Sequence, residues 1–240
     1  MTKVPWLELT DSFPSPELAL ESPNGLLAAG ADLSSERLIE AYRSGIFPWY
    51  EDGQPLLWWS PDPRAVLNPE SLRITRSLRK RLKRNEFDIF INRNFSAVVE
   101  HCAAPRSYAD DTWITDEMFD AYCLLHEKGF AHSFEAYQND QLVGGLYGIC
   151  IGNLFCGESM FHKATDASKV VFAHLARFME ENGSKIIDCQ LENDHLMSLG
   201  CELIPRQDYL RQLQMAQHIQ GPDWMPRQLV YDWNGPIITL

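Results

Sequence analysis

The 240-residue sequence predicts a mixed α/β (α+β) fold with a largely antiparallel sheet, preceded by a small, turn-rich N-terminal domain. Three observations lead there. Turn signals crowd the first quarter of the chain, three strand-like runs follow one another between residues 132 and 161, and a strongly amphipathic helix then leads into one more strand. Hydrophobic residues make up 45% and charged residues 22%, the balance of a chain that folds around a core.

Residues 1–62 contain Phe13-Pro14-Ser15-Pro16, Ser22-Pro23-Asn24-Gly25, Phe47-Pro48 and Pro61-Asp62-Pro63, so little regular structure is expected there. One helix fits: Ser34 caps it, Leu38, Ile39 and Tyr42 line a face, and Gly45 stops it. The Pro61-Asp62-Pro63 break divides 1–62 from a second domain, 63–240. That domain opens with a basic, helical segment and a strand from Phe87 to Ile91, followed by helices near 94–102 and 115–128. Strands His132 to Gln138, Gln141 to Cys150 and Leu154 to Phe161, separated by turns at Asn139-Asp140 and Gly152-Asn153, form an antiparallel meander. A helix from Ala167 to Glu181 points Val170, Val171, Leu175, Phe178 and Met179 inward. A strand from Lys185 to Leu191 and a last helix near Asp208 to Gln217 complete the order of an acetyltransferase-like (GNAT-like) fold.

No apolar run approaches the ~18 residues of a membrane span, and the first residues lack the apolar core of a signal peptide, so a cytoplasmic location is expected. The six cysteines are widely spaced, without a zinc-like pattern, and are expected to be reduced; no metal site is expected. A net charge of -12 argues against a nucleic-acid partner until its distribution is considered. Arg73, Arg76, Arg79, Lys80, Arg81, Lys83 and Arg84 form a run without an acid, so a basic block sits on a strongly acidic body. Two readings of the block stand: a polyanion-binding surface and a solvated helix face.

The strand Ile186 to Leu191 alternates so that Asp188 and Gln190 share a face. Such a pair either orients and polarises a bound nucleophile or ties the strand to a loop. Phe155-Cys156-Gly157-Glu158-Ser159-Met160-Phe161 offers a second candidate: Phe155 and Phe161 frame Glu158 and Ser159, while Gly157 permits close backbone approach. The segment is equally readable as a core strand with an edge glutamate. Cys156 lacks a histidine in an identifiable base context. Aromatics on the turns, Trp49 above all, suit an unstacked nucleotide, whereas Trp58 or Trp59 suits packing between domains.

Five of these segments together resemble one family. Ser22-Pro23-Asn24-Gly25-Leu26-Leu27-Ala28, Gly45-Ile46-Phe47-Pro48-Trp49, Trp58-Trp59-Ser60-Pro61-Asp62-Pro63-Arg64, the Phe155 to Phe161 segment and Ile187-Asp188-Cys189-Gln190 are similar to the bacterial leucyl/phenylalanyl-tRNA-protein transferases over nearly the whole chain. The resemblance implies an enzyme that moves Leu or Phe, and less readily Met, from aminoacyl-tRNA to proteins beginning with Arg or Lys, in the N-end degradation pathway. By position it implies Asp188 and Gln190 as a catalytic pair, with Glu158 as the active-site acid and Asn193 in the same site. The aminoacyl pocket would comprise Phe155, Gly157, Ser159 and Phe161. Tyr42, Trp49 and Trp113 would hold the tRNA's terminal adenosine, and Arg76, Arg79, Lys80, Lys83 and Arg84 its body. The tail after about Asp223 matches no motif.

An aminoacyl ester is already activated and an α-amine, of pKa about 7.7 to 8.0, is partly neutral near pH 7, so no cofactor is expected. The Gln190 carbonyl is expected to accept a hydrogen bond from the attacking amine while Asp188 orients that amide. A coenzyme-A-dependent N-acetyltransferase would share the fold but needs a glycine-rich phosphate loop, and Ser159 to Lys169 has no glycine. A non-catalytic tRNA-binding module would explain the basic block and tryptophans but not the Asp188-Gln190 pair.

Overall fold

The computed structural model describes residues 4–104 and 114–234. Its first part is more regular than the turn signals suggest. β1 (Trp6–Leu7), β2 (Leu26–Gly30), α1 (Ser35–Arg43), β3 (Phe47–Pro48) and β4 (Leu57–Trp59) build a four-stranded sheet, ordered β1-β2-β4-β3, with α1 beside it. Strands of two to five residues are too short to show a period of two, so the sequence hides them. α1 begins where the Ser34 hydroxyl accepts the Arg37 N–H and ends at Gly45, whose φ of +74° few other residues adopt.

Beyond Ser60 the chain forms one eight-stranded sheet. β5 (Arg64–Leu67) comes first, then α2 (Arg76–Arg84), β6 (Asp88–Ile91), α3 (Phe95–Ala103) and α4 (Asp116–Glu127). The meander comes next as β7 (Ala131–Gln138), β8 (Gln141–Ile151) and β9 (Leu154–His162), then the crossover helix α5 (Ala167–Glu181) and β10 (Ile187–Gln190). α6 (Asp194–Ser198), β11 (Glu202–Ile204), α7 (Arg206–Ala216) and β12 (Arg227–Leu229) complete it. The order is β11-β5-β10-β9-β8-β7-β6-β12. β10 runs parallel to β9 because α5 carries the chain back over the sheet, whereas β5 inserts antiparallel between β10 and β11. β5, β11, β12 and α6 are not expected from the sequence. Each is five residues or fewer, and the strands owe their place to partners distant in the chain.

Two apolar layers cover the sheet. α1, α3, α4, α7 and the small sheet share one, with Tyr42, Trp58, Tyr122 and Tyr147 in it. α2, α5 and α6 share the other, which also receives Trp233 from the C-terminal segment. α2 shows how a basic helix docks: Thr75 caps it, only Leu78 and Leu82 are buried, and Asn85 ends it in the left-handed region.

β9 carries a bulge in the middle of its pairing with β8. Gly157 pairs with Gly148 and Ser159 with Tyr147, so Glu158 is the extra residue and the alternation of faces reverses across it. Gly148 is tightly enclosed there: a Cβ on it would lie 2.1 Å from the Cys156 carbonyl oxygen, whereas a Cβ on its partner Gly157 would meet nothing nearer than 3.7 Å. Gly148→Ala should therefore cost roughly 1 to 3 kcal/mol in urea unfolding, and Gly157→Ala much less. Equal losses would contradict this packing.

Candidate active site

A cavity of about 320 Å³ opens where β9 and β10 lie side by side, bounded by β3, β8, α5 and α6. One wall is apolar, from Leu146, Met160, Phe172, Leu175 and Leu196. The other is polar, from Glu158, Asp188, Gln190 and Asn193.

Asp188 is fully buried, and its carboxylate meets four donors. Arg64 donates Nε to Oδ1 at 2.8 Å and Nη2 to Oδ2 at 2.7 Å, the Tyr209 hydroxyl donates to Oδ2 at 2.8 Å, and the Gln190 main-chain N–H donates to Oδ1 at 2.9 Å. Every lone-pair direction is occupied, which is how a carboxylate survives burial. Cys189 is the extra residue of a second bulge, in β10, and Gln190 adopts φ +63° beyond it. For a residue with a Cβ that conformation is costly, and the bond from its N–H to Asp188 holds it.

Asp188 therefore orients the main chain of Gln190, and the expectation that it orients the side-chain amide is corrected. The amide is held by Glu158, whose Oε1 accepts Nε2–H at 2.8 Å. Since an ionised carboxylate only accepts, this bond fixes the flip of the amide and leaves Oε1 of Gln190 as an acceptor. The other oxygen, Oε2 of Glu158, accepts the Tyr122 hydroxyl at 2.7 Å, and Tyr42 lies 2.6 Å behind Tyr122. Burial keeps both phenols well above their ordinary range, so they remain donors. Burial, with the charge of Asp188 adding to it, raises the Glu158 carboxyl to about 7 against the hydrogen bonds from Tyr122, Tyr42 and Gln190. The Cys156 thiol is pushed far up by burial and stays neutral.

Gly157, Glu158, Ser159, Asp188, Gln190 and Asn193 all border the cavity, with Asn193 also capping α6 through Leu196 N–H at 2.9 Å. Phe155 and Phe161 do not border it. The Glu158 bulge sends them to opposite faces: Phe155 packs in the α5 layer, 6.4 Å from the ring of Phe134, and Phe161 lies in the α3 layer, 5.0 Å from His101. Nor can Tyr42 stack a base, because it is 1% exposed on the inner face of α1 and serves Tyr122 instead. Trp49 is 40% exposed at the cavity, its ring 5.5 Å from Trp59. Trp113 lies outside the described residues.

On α2, which packs on α5, Arg76, Lys80, Lys83 and Arg84 are exposed and Arg79 is half-buried. Arg84 reaches Glu86 at 3.1 Å and Arg81 pairs with Glu86 and, at 3.9 Å, with Asp166, while Arg76, Arg79, Lys80 and Lys83 form no ion pair among the described residues. Sequence reading assigns no role to Arg64, Tyr122 or Tyr209. The signal for Arg64 is a cation opening the apolar run Ala65-Val66-Leu67, whereas Tyr122 falls at core spacing with Met118 and Leu125 and is silent.

An amide fixed by a buried carboxylate, beside an apolar chamber, gives this mixed α/β protein a site that can take an apolar group and orient a proton donor. The chain is matched over residues 66–214 by the family model for leucyl/phenylalanyl-tRNA protein transferase, and over 31–62 by that for the N-terminal domain of the same proteins. Leucyl/phenylalanyl-tRNA-protein transferases from Stutzerimonas stutzeri and Azotobacter vinelandii are 55% and 56% identical to it, over 91% and 89% of this chain and 98% and 95% of theirs. That from Tolumonas auensis is 52% identical over 93% of this chain and 96% of its own. The protein belongs to the leucyl/phenylalanyl-tRNA-protein transferase family.

The two central residues should separate on mutation. Asp188→Ala leaves the buried Arg64 charge unpaired and should cost about 3 to 5 kcal/mol in urea unfolding. Gln190→Ala removes one half-buried hydrogen bond and should cost about 1 kcal/mol. Similar losses would contradict the buried ion pair.

Proposed function

We propose that the protein transfers leucine or phenylalanine, and methionine less readily, from aminoacyl-tRNA to the α-amino group of proteins beginning with Arg or Lys, marking them for degradation. Family membership supports the reaction, and the single structural observation behind the site assignment is the junction of the apolar wall with the Gln190-Glu158 pair. The finer reading of the fold as GNAT-like is supported by the meander, crossover helix and parallel β10. The division at residues 62 and 63 is supported by the change of sheet between Trp59 and Arg64. No helix among the described residues is long and apolar enough to cross a membrane; a cytoplasmic location is part of the proposal.

In this reading the aminoacyl side chain lies against Leu146, Met160, Phe172 and Leu175, with its ester carbonyl near Gln190. The free amine attacks that carbonyl carbon, a C–N bond forms, and the C–O bond to the ribose breaks. Oε1 of Gln190 accepts one N–H of the amine and so aims its lone pair at the carbon. A neutral amide is a weak base, so the amine's proton passes to the departing 3′-oxygen directly or through water. Ionised, Glu158 can only accept, and so holds the amide in this one orientation. Protonated, it can donate to Oε1 of Gln190 and compete with the amine. Trp49 offers the terminal adenine a ring face, and the unpaired cations of α2 offer the tRNA backbone its countercharge.

The test is to mix the protein with radiolabelled Leu-tRNA and an Arg-initiated peptide. Leucine should join the peptide N-terminus, with Asp-tRNA a far poorer donor; no transfer would overturn the proposal. In the same assay the rate should rise with pH through about 7 as Glu158 loses its proton. Glu158→Gln should lack that step and keep only the rise due to the substrate amine. An identical profile would remove the role given to Glu158.

A second expectation concerns α2. Lys80→Ala with Lys83→Ala should weaken binding of all tRNAs alike and lower the log-log salt slope by somewhat less than one for each lost phosphate contact, while aminoacylated adenosine reacts as before. Trp49→Ala should impair that small substrate as well. An unchanged salt slope would make α2 a solvated face.

A further inference from the structure

Cys189 sits between the two residues of the polar site, as the extra residue of the β10 bulge: Asp188 and Gln190 pair with Val66 and Ala65 of β5. On the far side of β5, Cys201 immediately precedes β11, whose Glu202 and Leu203 pair with the same Val66 and Ala65. The two sulfurs meet there, with Sγ atoms 3.5 Å apart. At that separation no β5 side chain stands between the two sulfurs. Cys189 borders the cavity and can be reached through it, whereas Cys201 is buried against Leu196 and Leu199.

We propose that Cys189 and Cys201 are a reversible disulfide site, and that forming the bond under peroxide switches transfer off by drawing the Gln190 bulge toward β11. An S–S bond is about 2.05 Å long, so the sulfurs must approach by about 1.5 Å. The bulge yields most readily, because Cys189 is the residue left out of the pairing with β5. Its movement displaces Gln190, and the bond also closes the segment carrying Asn193 and Leu196, both of which border the cavity. A displacement of about 1 Å in such a site can reduce turnover about a hundredfold.

The chemistry balances with peroxide as the oxidant. Peroxide gives one oxygen to the Cys189 thiol, forming a sulfenic acid and one water. The Cys201 sulfur attacks that sulfur, the S–S bond forms, and the hydroxyl leaves with the Cys201 proton as a second water. Two electrons pass from the thiols to peroxide. The contact between the sulfurs lowers the Cys201 thiol and, with burial, raises that of Cys189, so access through the cavity rather than acidity makes Cys189 the sulfur that peroxide meets first. A dithiol reverses the step by exchange.

Trypsin should release Ile186 to Arg206 as one peptide that contains these two cysteines and none of the other four. After peroxide and digestion without reductant, its mass should fall by two hydrogens and return with dithiothreitol. Leucine transfer should fall about tenfold or more in step and recover with it. Cys201→Ala, with Cys201→Ser as a second variant, should keep the reduced rate and resist peroxide. A fully reduced peptide in inactivated protein, a disulfide without loss of rate, or equal inactivation of the Cys201 variants would overturn the proposal. The activity readout rests on the transferase reading, but the peptide mass does not. A reduced parent protein that transfers nothing would count against that reading, while the mass still decides whether the disulfide forms.

Discussion

The guanidinium of Arg64 carries its charge at 1% exposure, and the polar half of the cavity is arranged around it. It pairs with Asp188 through two parallel hydrogen bonds, lies 4.8 Å from the ring centre of Phe47 and 4.5 Å from that of Tyr209, and donates to the Gly45 carbonyl at 3.3 Å. One side chain from β5 thus touches the α1-β3 turn, β10 and α7. Burying two charges costs several kcal/mol each, so the pair is weak as a source of net stability but severe on any structure that separates it. It acts as a register pin. Asp188 can be satisfied only where Arg64, Tyr209 and the Gln190 N–H converge, and this sets the position at which β10 must bulge.

From that pin the site is built by two bulges on neighbouring parallel strands. The β10 bulge turns Gln190 into the cavity, and the β9 bulge places Glu158 where it accepts the Gln190 amide. A bulge re-aims a side chain without lengthening the sheet. The outer oxygen of Glu158 is then held by Tyr122 and, behind it, Tyr42, a chain of phenols that burial keeps protonated. The geometry of the polar site therefore rests on residues from α1, α4, β5 and α7 as well as on the two strands that carry it.

Length and local chemistry decide which parts of the molecule are legible in its sequence. The meander strands, of eight, eleven and nine residues, and the fifteen-residue α5 are long enough for periodicity to speak, and each lies within a few residues of its expected bounds. Asp188, Gln190, Glu158 and Asn193 are found by motif, and all border one cavity. The strand alternation that pairs Asp188 with Gln190 is interrupted between them, and their proximity survives through a bulge and a main-chain bond. The same effect misplaces Phe155 and Phe161, since a single extra residue reverses every face beyond it. Tyr42 is misread because a tyrosine at helical spacing looks alike whether its hydroxyl meets solvent or a buried partner. Arg64 shows only as a cation before an apolar run, because its partner is 124 residues away.

The central claim is that the Arg64-Asp188 pair holds the Gln190 main chain in its left-handed conformation. Hydrogen exchange at the Gln190 amide measures this directly in the parent, Tyr209→Phe and Arg64→Gln, with the Ile149 amide of β8 as internal reference. Protection at Gln190 should be strong in the parent, weaker without the Tyr209 hydroxyl and largely lost without the guanidinium, while protection at Ile149 persists. Unchanged protection at Gln190 in Arg64→Gln would contradict the account.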